Sequence, residues 1–311
     1  MRAVSATLAA GRSEKKHITV AANDGTRLSL RVYERPGAPR IVISHGNGLA
    51  ADGYRIFWEA LADDFEIVTH DLRNHGRSER SSPERHCWSQ IADDLDLVWR
   101  ELARWLGDRT TIGVFHSLAA VASLHHLRRY GKGGDALLLF DPPLAPPASH
   151  PLAPLHAANM TTLASIAGAR NALFASPRQL ADKFARQGAL KRWRHEAYEA
   201  MANATLRRHD EGAWRLSCPP TFEASIFATN TDASLWETLR HAPIPIKLVG
   251  GDPTLPGATA SVLMGRSASS ELGLEYEAVP NTTHFLQLEE PEACRVITRA
   301  YVNALGSKAC A

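Results

Sequence analysis

Short apolar runs alternate with longer amphipathic stretches through the first half of the chain. Residues 17–22 and 26–33 alternate polar and apolar positions around Asn23-Asp24-Gly25, a tight-turn sequence that predicts an antiparallel hairpin. Four short apolar runs follow it, and helical patterns lie among them. The predicted strands are 41–44, 66–69, 110–115 and 136–140, and the predicted helices are 54–62, 89–106 and 118–130. Strands alternating with helices predict an α/β protein with a doubly wound, mostly parallel sheet.

A long insertion interrupts this alternation. Between about residues 142 and 242 the strand pattern is lost, and alanine, arginine and histidine recur at helical spacing. Strand patterns return at 244–249 and 276–279, and a closing helix is predicted over 296–305. The predicted organisation is therefore a core over 1–144 and 243–311 that carries a helical cap, or lid, over 145–242.

Ser117 stands where the strand pattern of 110–115 gives way at once to a helix of small residues. A serine on such a turn projects its hydroxyl from the edge of a sheet, and the next N–H and the helix dipole face the same point. Taken alone, a serine at a helix start is more often an N-cap. The interpretation of Ser117 as a nucleophile gains support from other predicted strands, which are followed by a glycine-bracketed loop, an acid and a histidine. These are His45-Gly46-Asn47-Gly48, Asp252 and His284.

The chain order of serine, acid and histidine, each after a strand, resembles the α/β-hydrolase superfamily. Residues 71–78 are similar to the D-x-R-G-x-G-x-S loop of that family, and residues 286–291 are similar to the end of its H-x-x-x-x-E-x-P motif. The resemblance covers roughly residues 17–306. It implies an eight-stranded, mostly parallel sheet with an inserted helical cap.

The same resemblance implies a role for each candidate residue. Ser117 would attack a carbonyl carbon, His284 would take its proton, and Asp252 would hold the imidazole in the required tautomer. The backbone N–H groups of Leu118 and Asn47 would form the oxyanion hole.

Several assignments stay open at this level. Asp141 also ends a predicted strand, and it is the alternative acid. His116, Gly48 and Phe285 flank the candidate residues in sequence and are candidates for the wall of a substrate pocket.

Two residues depart from the family pattern. The turn around the nucleophile usually has small residues two positions away on each side, and Ala119 fits whereas Phe115 does not. The phenyl ring needs space left by a small neighbour, or else it loosens the turn. Asn74 replaces a glycine of the D-x-R-G-x-G-x-S loop, a mild change because asparagine tolerates positive φ.

Composition narrows the functional classes. The 311 residues include 35 Lys and Arg against 33 Asp and Glu, so the net charge of +2 favours neither a nucleic-acid partner nor a membrane surface. The four cysteines are scattered, which predicts ordinary thiols and no metal site. Residues 1–11 lack the apolar stretch of a signal peptide, so a cytoplasmic protein is expected. A homodimer is an open alternative to a monomer.

The expected activity is that of a cofactor-independent serine hydrolase, carboxylesterase-like, acting on a small-molecule acyl substrate through an acyl-enzyme. Haloalkane dehalogenases and epoxide hydrolases are disfavoured because position 117 is not an aspartate. Two alternatives use the same fold: an acyltransferase with the same triad, and a non-catalytic ligand-binding protein.

Overall fold

The computed structural model describes residues 16–209 and 212–309. The predictions for residues 1–11 and for Cys310 fall outside the described residues. Within them the strands are β1 Lys16–Ala21, β2 Arg27–Tyr33, β3 Arg40–Ser44, β4 Glu66–Asp71, β5 Thr111–His116, β6 Ala136–Phe140, β7 Leu173–Phe174, β8 Leu206–Arg208, β9 Trp214–Leu216, β10 Ile246–Gly250 and β11 Glu275–Ala278.

The α-helices of the described residues are α1 Arg55–Trp58, α2 Trp88–Leu106, α3 Leu118–Tyr130, α4 Ala153–Gly168, α5 Pro177–Arg186, α6 His195–Thr205, α7 Pro220–Ala228, α8 Leu235–Arg240, α9 Ala260–Leu272, α10 Leu286–Glu289 and α11 Pro291–Ala309. The helix predicted over 54–62 is a single α-helical turn, α1, between two 3₁₀ turns at Ala51–Tyr54 and Glu59–Asp63.

The central sheet has eight strands in the order β1-β2-β4-β3-β5-β6-β10-β11. The first two strands form the predicted antiparallel hairpin, and β2 is also antiparallel to β4. The pairings from β4 to β11 are parallel. The prediction of a doubly wound, mostly parallel eight-stranded sheet with an α/β-hydrolase fold is confirmed.

Two apolar layers cover the two faces of this sheet. Because successive strand residues point to opposite faces, Ile41 and Ile43 of β3 join one buried cluster and Val42 joins the other. Along β5, Ile112 and Val114 face the first cluster, and Phe115 faces the second. The strands therefore read as continuous apolar runs, as expected for a sheet buried on both faces.

The segment between β6 and β10 is mainly helical, and it also holds a small antiparallel sheet in the order β7-β9-β8. The sequence pattern predicts helices alone in this segment. Within it α4 packs on α7, and α5 packs on α6. The last helix, α8, instead packs on α3 and α9, and its Trp236 is buried in the same cluster as the core strands. The helix α8 therefore packs mainly on elements outside this segment.

The loops that follow the parallel strands β3, β5, β6 and β11 lie at one edge of the sheet, because the carboxyl ends of parallel strands point the same way. Ser44, Phe115 and Leu139 are in register across β3, β5 and β6. The residues that follow these strands are thus brought together although they are far apart in sequence.

Candidate active site

Ser117 occupies a strained turn between β5 and α3. Its φ of 51° and ψ of −111° lie in a region that non-glycine residues rarely adopt. Neighbouring backbone bonds hold it there, since its N–H donates to the Phe140 carbonyl at 3.0 Å and its carbonyl accepts from Val121 N–H at 3.0 Å. The side chain of Ser117 makes no capping bond to the helix that follows it.

Phe115 does not disturb this turn. It is fully buried on the same face of β5 as Gly113, and its ring contacts the edge of Trp99 at a centroid distance of 6.1 Å. A Cβ atom at Gly113 would lie only 2.6 Å from Phe115 Cε2. The missing side chain of Gly113 therefore supplies the space that the phenyl ring needs.

The structure brings Ser117, His284 and Asp141 together. His284, in the loop after β11, places Nε2 3.0 Å from Ser117 Oγ and Nδ1 2.5 Å from Asp141 Oδ2. A carboxylate oxygen can only accept, so Nδ1 carries the proton and Nε2 accepts from the serine hydroxyl. Asp141 is almost fully buried directly after β6, with a φ of 43°, and its N–H donates to the Val249 carbonyl at 2.7 Å.

The structure corrects the choice of Asp252 as the partner of His284. Its carboxylate accepts from the N–H and hydroxyl of Thr254 at 2.9 and 2.6 Å, and from Asn281 N–H at 2.9 Å. These hydrogen bonds, led by that from the Thr254 side chain, lower the pKa of Asp252. The reason for the error is that both acids follow neighbouring strands, but the Asp252 carboxylate is engaged by Thr254 of its own loop and by Asn281 of the loop after β11. Asp141, the alternative acid, takes the place beside His284.

Ser261, the second residue of α9, is a member of the site that the sequence did not predict. Its hydroxyl donates to Asp141 Oδ2 at 2.7 Å and lies 3.1 Å from His284 Nδ1. The other carboxylate oxygen, Oδ1, is buried and has no hydrogen-bond partner among the described residues. Ser261 therefore restrains the one oxygen that faces the imidazole. No local motif marks this serine, because its role depends on how α9 packs.

The loop between β3 and the 3₁₀ turn at Ala51–Tyr54 lies beside Ser117, and a Cβ atom on Gly46 of this loop would be 3.3 Å from Ser117 Cβ. Ala119 N–H donates to the His45 carbonyl at 3.2 Å, which ties the loop to the first turn of α3. Leu118 begins that helix, so its N–H has no acceptor four residues earlier in the chain. Asn47 lines the cavity beside Ser117, and its side-chain Nδ2 donates to the Glu223 carbonyl at 2.8 Å.

Residues 71–78 make hydrogen bonds with the loop that contains His45 and Gly48. Leu72 N–H donates to His45 Nε2 at 3.1 Å, and Gly48 N–H donates to His75 Nε2 at 3.1 Å. Burial lowers the pKa of both imidazoles, so both remain neutral acceptors near pH 7. The asparagine that departs from the family pattern, Asn74, has a φ of 66°, as predicted for that position.

A cavity of about 210 Å³ opens onto the Ser117 hydroxyl. Its wall is mostly apolar and comes from both the core and the segment between β6 and β10. The charged exception is an ion pair in which the half-buried Arg170 donates from Nη1 to Oε2 of the buried Glu223. Apart from that pair, the wall includes Leu49, Leu163, Ile166, Ala167, Phe184, Gln187, Leu190, Trp193 and Phe227.

The three predicted pocket residues have different positions. Phe285 and His116 line the cavity. Gly48 does not, because the carboxylate of Glu223 covers it, and a Cβ atom there would lie 2.5 Å from Glu223 Cδ.

The model of the alpha/beta hydrolase family matches residues 41–295, which include every residue of this site. The chain belongs to the α/β hydrolase family. A comparison with curated proteins finds no significant sequence match.

Solved structures of other α/β hydrolases share the fold at low sequence identity. E-2-(acetamidomethylene)succinate hydrolase superposes with a TM-score of 0.75 at 19% identity, over 93% of this chain and 99% of that one. A thioesterase domain from the curacin biosynthetic pathway gives 0.70 at 18% identity, over 92% and 99%. An esterase of M. tuberculosis gives 0.68 at 22% identity, over 94% and 93%.

The described part of this α/β hydrolase has neither a membrane-spanning helix nor a metal site. None of its described helices is long and apolar enough to cross a lipid bilayer. No group of three or more His, Cys, Asp or Glu side chains in that part of the chain has the arrangement of a metal site. The described cysteines, Cys87, Cys218 and Cys294, are free thiols.

Proposed function

We propose that this α/β hydrolase is a cofactor-independent serine hydrolase that cleaves an ester or a similarly activated acyl bond. The observation that carries the proposal is the unbroken series of hydrogen bonds from Ser117 through His284 to Asp141, at 3.0 and 2.5 Å. A weak nucleophile, a neutral base and a buried carboxylate in this order are the parts that acyl transfer by serine requires. Asp141 takes the role of the acid in place of Asp252.

The proposed reaction has two halves. The Oγ of Ser117 attacks the carbonyl carbon while its proton passes to Nε2 of His284, and Asp141 stabilises the imidazolium that forms. The N–H groups of Leu118 and Asn47 donate to the oxyanion. His284 then returns the proton to the leaving alcohol as the carbon–oxygen bond breaks. A water molecule attacks the acyl-enzyme in the same way and regenerates Ser117.

The cavity supports an acyl group that is small and mostly apolar. Its volume of about 210 Å³ is below the usual range for drug-sized ligands, and its one ion pair is neutral overall. The fold does not decide the leaving group, since its structural neighbours include a thioesterase domain, an esterase and a hydrolase of an acetamidomethylene succinate.

The two alternative functions differ in their support. A nucleophile turn loosened by Phe115 would favour the ligand-binding alternative, and the space at Gly113 removes that argument. An acyltransferase would use the same triad, and capture of the acyl group by added alcohol distinguishes it from a hydrolase.

A fluorophosphonate probe tests the proposal directly. We expect it to modify Ser117 in the wild-type protein, as shown by peptide mapping, and to leave Ser117→Ala unmodified. A series of p-nitrophenyl esters of increasing chain length should then show turnover that falls for long acyl chains. If labelling and ester turnover are both absent, the serine hydrolase assignment is wrong. If added alcohol captures most of the acyl group in competition with water, the acyltransferase is favoured.

A further inference from the structure

The imidazole of His116 lies between the candidate base and the oxyanion loop, and its two nitrogens have separate partners. Nε2 is 2.8 Å from the backbone carbonyl of His284, and Nδ1 is 2.7 Å from the hydroxyl of Tyr54. A carbonyl oxygen can only accept, so Nε2 carries the hydrogen and donates it. Complete burial lowers the pKa of His116 well below its ordinary value, so the ring is neutral and Nδ1 is an acceptor.

Tyr54 continues this series of bonds to the oxyanion loop. Its hydroxyl donates to His116 Nδ1 and accepts from Gly46 N–H at 3.3 Å. The side chain is buried, and burial raises the pKa of Tyr54, so the phenol keeps its proton near pH 7. Each bond therefore has one fixed direction, from Gly46 N–H to Tyr54, to His116, and on to the carbonyl of His284.

Close packing accompanies these hydrogen bonds. The rings of His116 and His284 have centroids 4.7 Å apart, and those of Tyr54 and His116 are 5.5 Å apart. A Cβ atom on Gly46 would lie 3.0 Å from His116 Nδ1 and 3.3 Å from Ser117 Cβ. The loop that carries Asn47, the turn that carries Ser117 and the loop that carries His284 thus meet around one neutral imidazole.

We infer that Tyr54 and His116 are positioning residues that fix the distance between the oxyanion donors and the imidazole of His284. This inference rests on the proposed function. Neither side chain has a role in the proton transfers proposed above: His116 has both ring nitrogens occupied, and among the described residues the Tyr54 hydroxyl bonds only to His116 and Gly46. Their contribution is to hold the loop that carries Asn47 and the loop that carries His284 in a fixed arrangement beside Ser117.

Tyr54→Phe tests this inference with a small change of shape. It removes the hydroxyl, so that Gly46 N–H and His116 Nδ1 both lose a partner. We expect kcat for a p-nitrophenyl ester to fall about 10-fold or more with little change in KM, since the loss is in the oxyanion geometry and not in ground-state binding. The affinity for a boronic acid, which mimics the tetrahedral intermediate, should fall in parallel.

Tyr301→Phe is the matched control. Tyr301 is also a buried tyrosine, and its hydroxyl has no hydrogen-bond partner in the described structure. This variant should keep wild-type kcat. If Tyr54→Phe also keeps kcat within about twofold of the wild type, or loses kcat only as far as its folded fraction falls, the inference is wrong.

Variants of His116 test its hydrogen bonds to Tyr54 and to the His284 carbonyl. His116→Gln can keep a donor toward the His284 carbonyl, and His116→Asn can keep an acceptor near Tyr54, whereas His116→Leu keeps neither. Both amides should retain more activity than leucine. Equal activity of all three would overturn a positioning role.

Histidine ¹⁵N NMR of the wild-type protein gives a readout that needs no turnover. At pH 7 the His116 ring should be neutral with its proton on Nε2, and its Nδ1 shift should change in Tyr54→Phe. A proton on Nδ1 would be incompatible with donation from Nε2 to the His284 carbonyl and would overturn the inference. Absent labelling of Ser117 in the wild type would reject the proposed function, whereas a labelled, active wild type with an unaffected Tyr54→Phe variant would reject only this inference.

Discussion

The ring of Phe115 occupies the volume that a side chain on Gly113 would need. The two residues lie on the same face of β5, and a Cβ atom at Gly113 would be 2.6 Å from Phe115 Cε2 and 2.7 Å from Leu137 Cδ2. Gly113, Phe115 and Leu137 are all buried. A bulky residue two positions before the nucleophile is therefore tolerated because the strand has a glycine two positions earlier.

Gly113→Ala should destabilise the fold and impair the site. The new methyl group must displace a fully buried ring, and such overpacking costs about 1 to 3 kcal/mol. Urea unfolding measures the loss. Gly265→Ala is the control, because Gly265 lies in α9 with open space around its Cβ position, and there alanine should stabilise by roughly 0.5 to 1 kcal/mol. An equally stable Gly113→Ala would show that the ring moves freely. Adding Phe115→Leu should restore part of the stability.

Asp141→Asn should reduce kcat by about 10³-fold to 10⁴-fold, since an amide favours the wrong tautomer of His284. Asp252→Asn should change kcat by no more than about threefold, because its carboxylate braces a loop and does not touch the imidazole. Steady-state kinetics on one activated ester compares the two. A large loss on changing Asp252 with none on changing Asp141 would reverse the assignment of the acid.

The Arg170–Glu223 pair should behave as a unit in stability measurements. Burial, the largest cause, raises the pKa of Glu223, and the guanidinium opposes that rise. Arg170→Met would leave a buried carboxyl without its partner and should cost about 3 kcal/mol in the free energy of unfolding. Arg170→Met combined with Glu223→Leu should recover most of that loss. Strictly additive effects in this double-mutant cycle would show that the two side chains are not coupled.

His70 should make the protein less stable in mild acid. Burial, followed by the neighbouring His45, lowers the pKa of His70 to about 3, whereas an unfolded histidine titrates near 6.5. The unfolded state therefore binds more protons between about pH 6.5 and pH 3. As the pH is lowered through that window, the free energy of unfolding decreases by at most about 1.4 kcal/mol per pH unit.

His70→Leu should reduce this acid sensitivity. Both ring nitrogens of His70 are buried without hydrogen-bond partners in the described structure, so leucine should also raise stability at pH 7 by about 1 kcal/mol. Urea unfolding at pH 7 and pH 5 measures both effects. His241→Leu, at an exposed position, should change stability by less than about 0.5 kcal/mol. An unchanged acid slope in His70→Leu would show that His70 is not the group responsible.

Local patterns were sufficient to predict most of the central sheet. The alternation around Asn23-Asp24-Gly25 predicted the first hairpin, and the apolar runs predicted β3 to β6, because buried parallel strands carry an unbroken apolar signal. The strands β7, β8 and β9 have only two or three residues each, too few to show any period. These strands form by pairing with one another, and such pairing between distant residues leaves no local pattern in the sequence.

Local patterns also predicted some residues of the candidate site and missed others. Ser117 and His284 were named from sequence because each follows a strand in a recognisable pattern. Asp141 and Asp252 have the same local signature, and only the packing of the loop after β10 separates them. Ser261 and Tyr54 belong to no sequence motif. Each contacts the site through a residue more than 60 positions away in the chain, Asp141 for Ser261 and His116 for Tyr54.

Asp141 lies directly before the segment that covers the site, whereas His284 lies well after it. The chain up to Asp141 thus holds the proposed nucleophile, the proposed acid and both proposed oxyanion donors, whereas the proposed base, His284, and Ser261 lie after that segment. A cut in the exposed region around residue 171 would leave two fragments, neither with a complete set of reacting groups. Ester turnover on mixing them would therefore report reassembly of the fold with no background from either fragment.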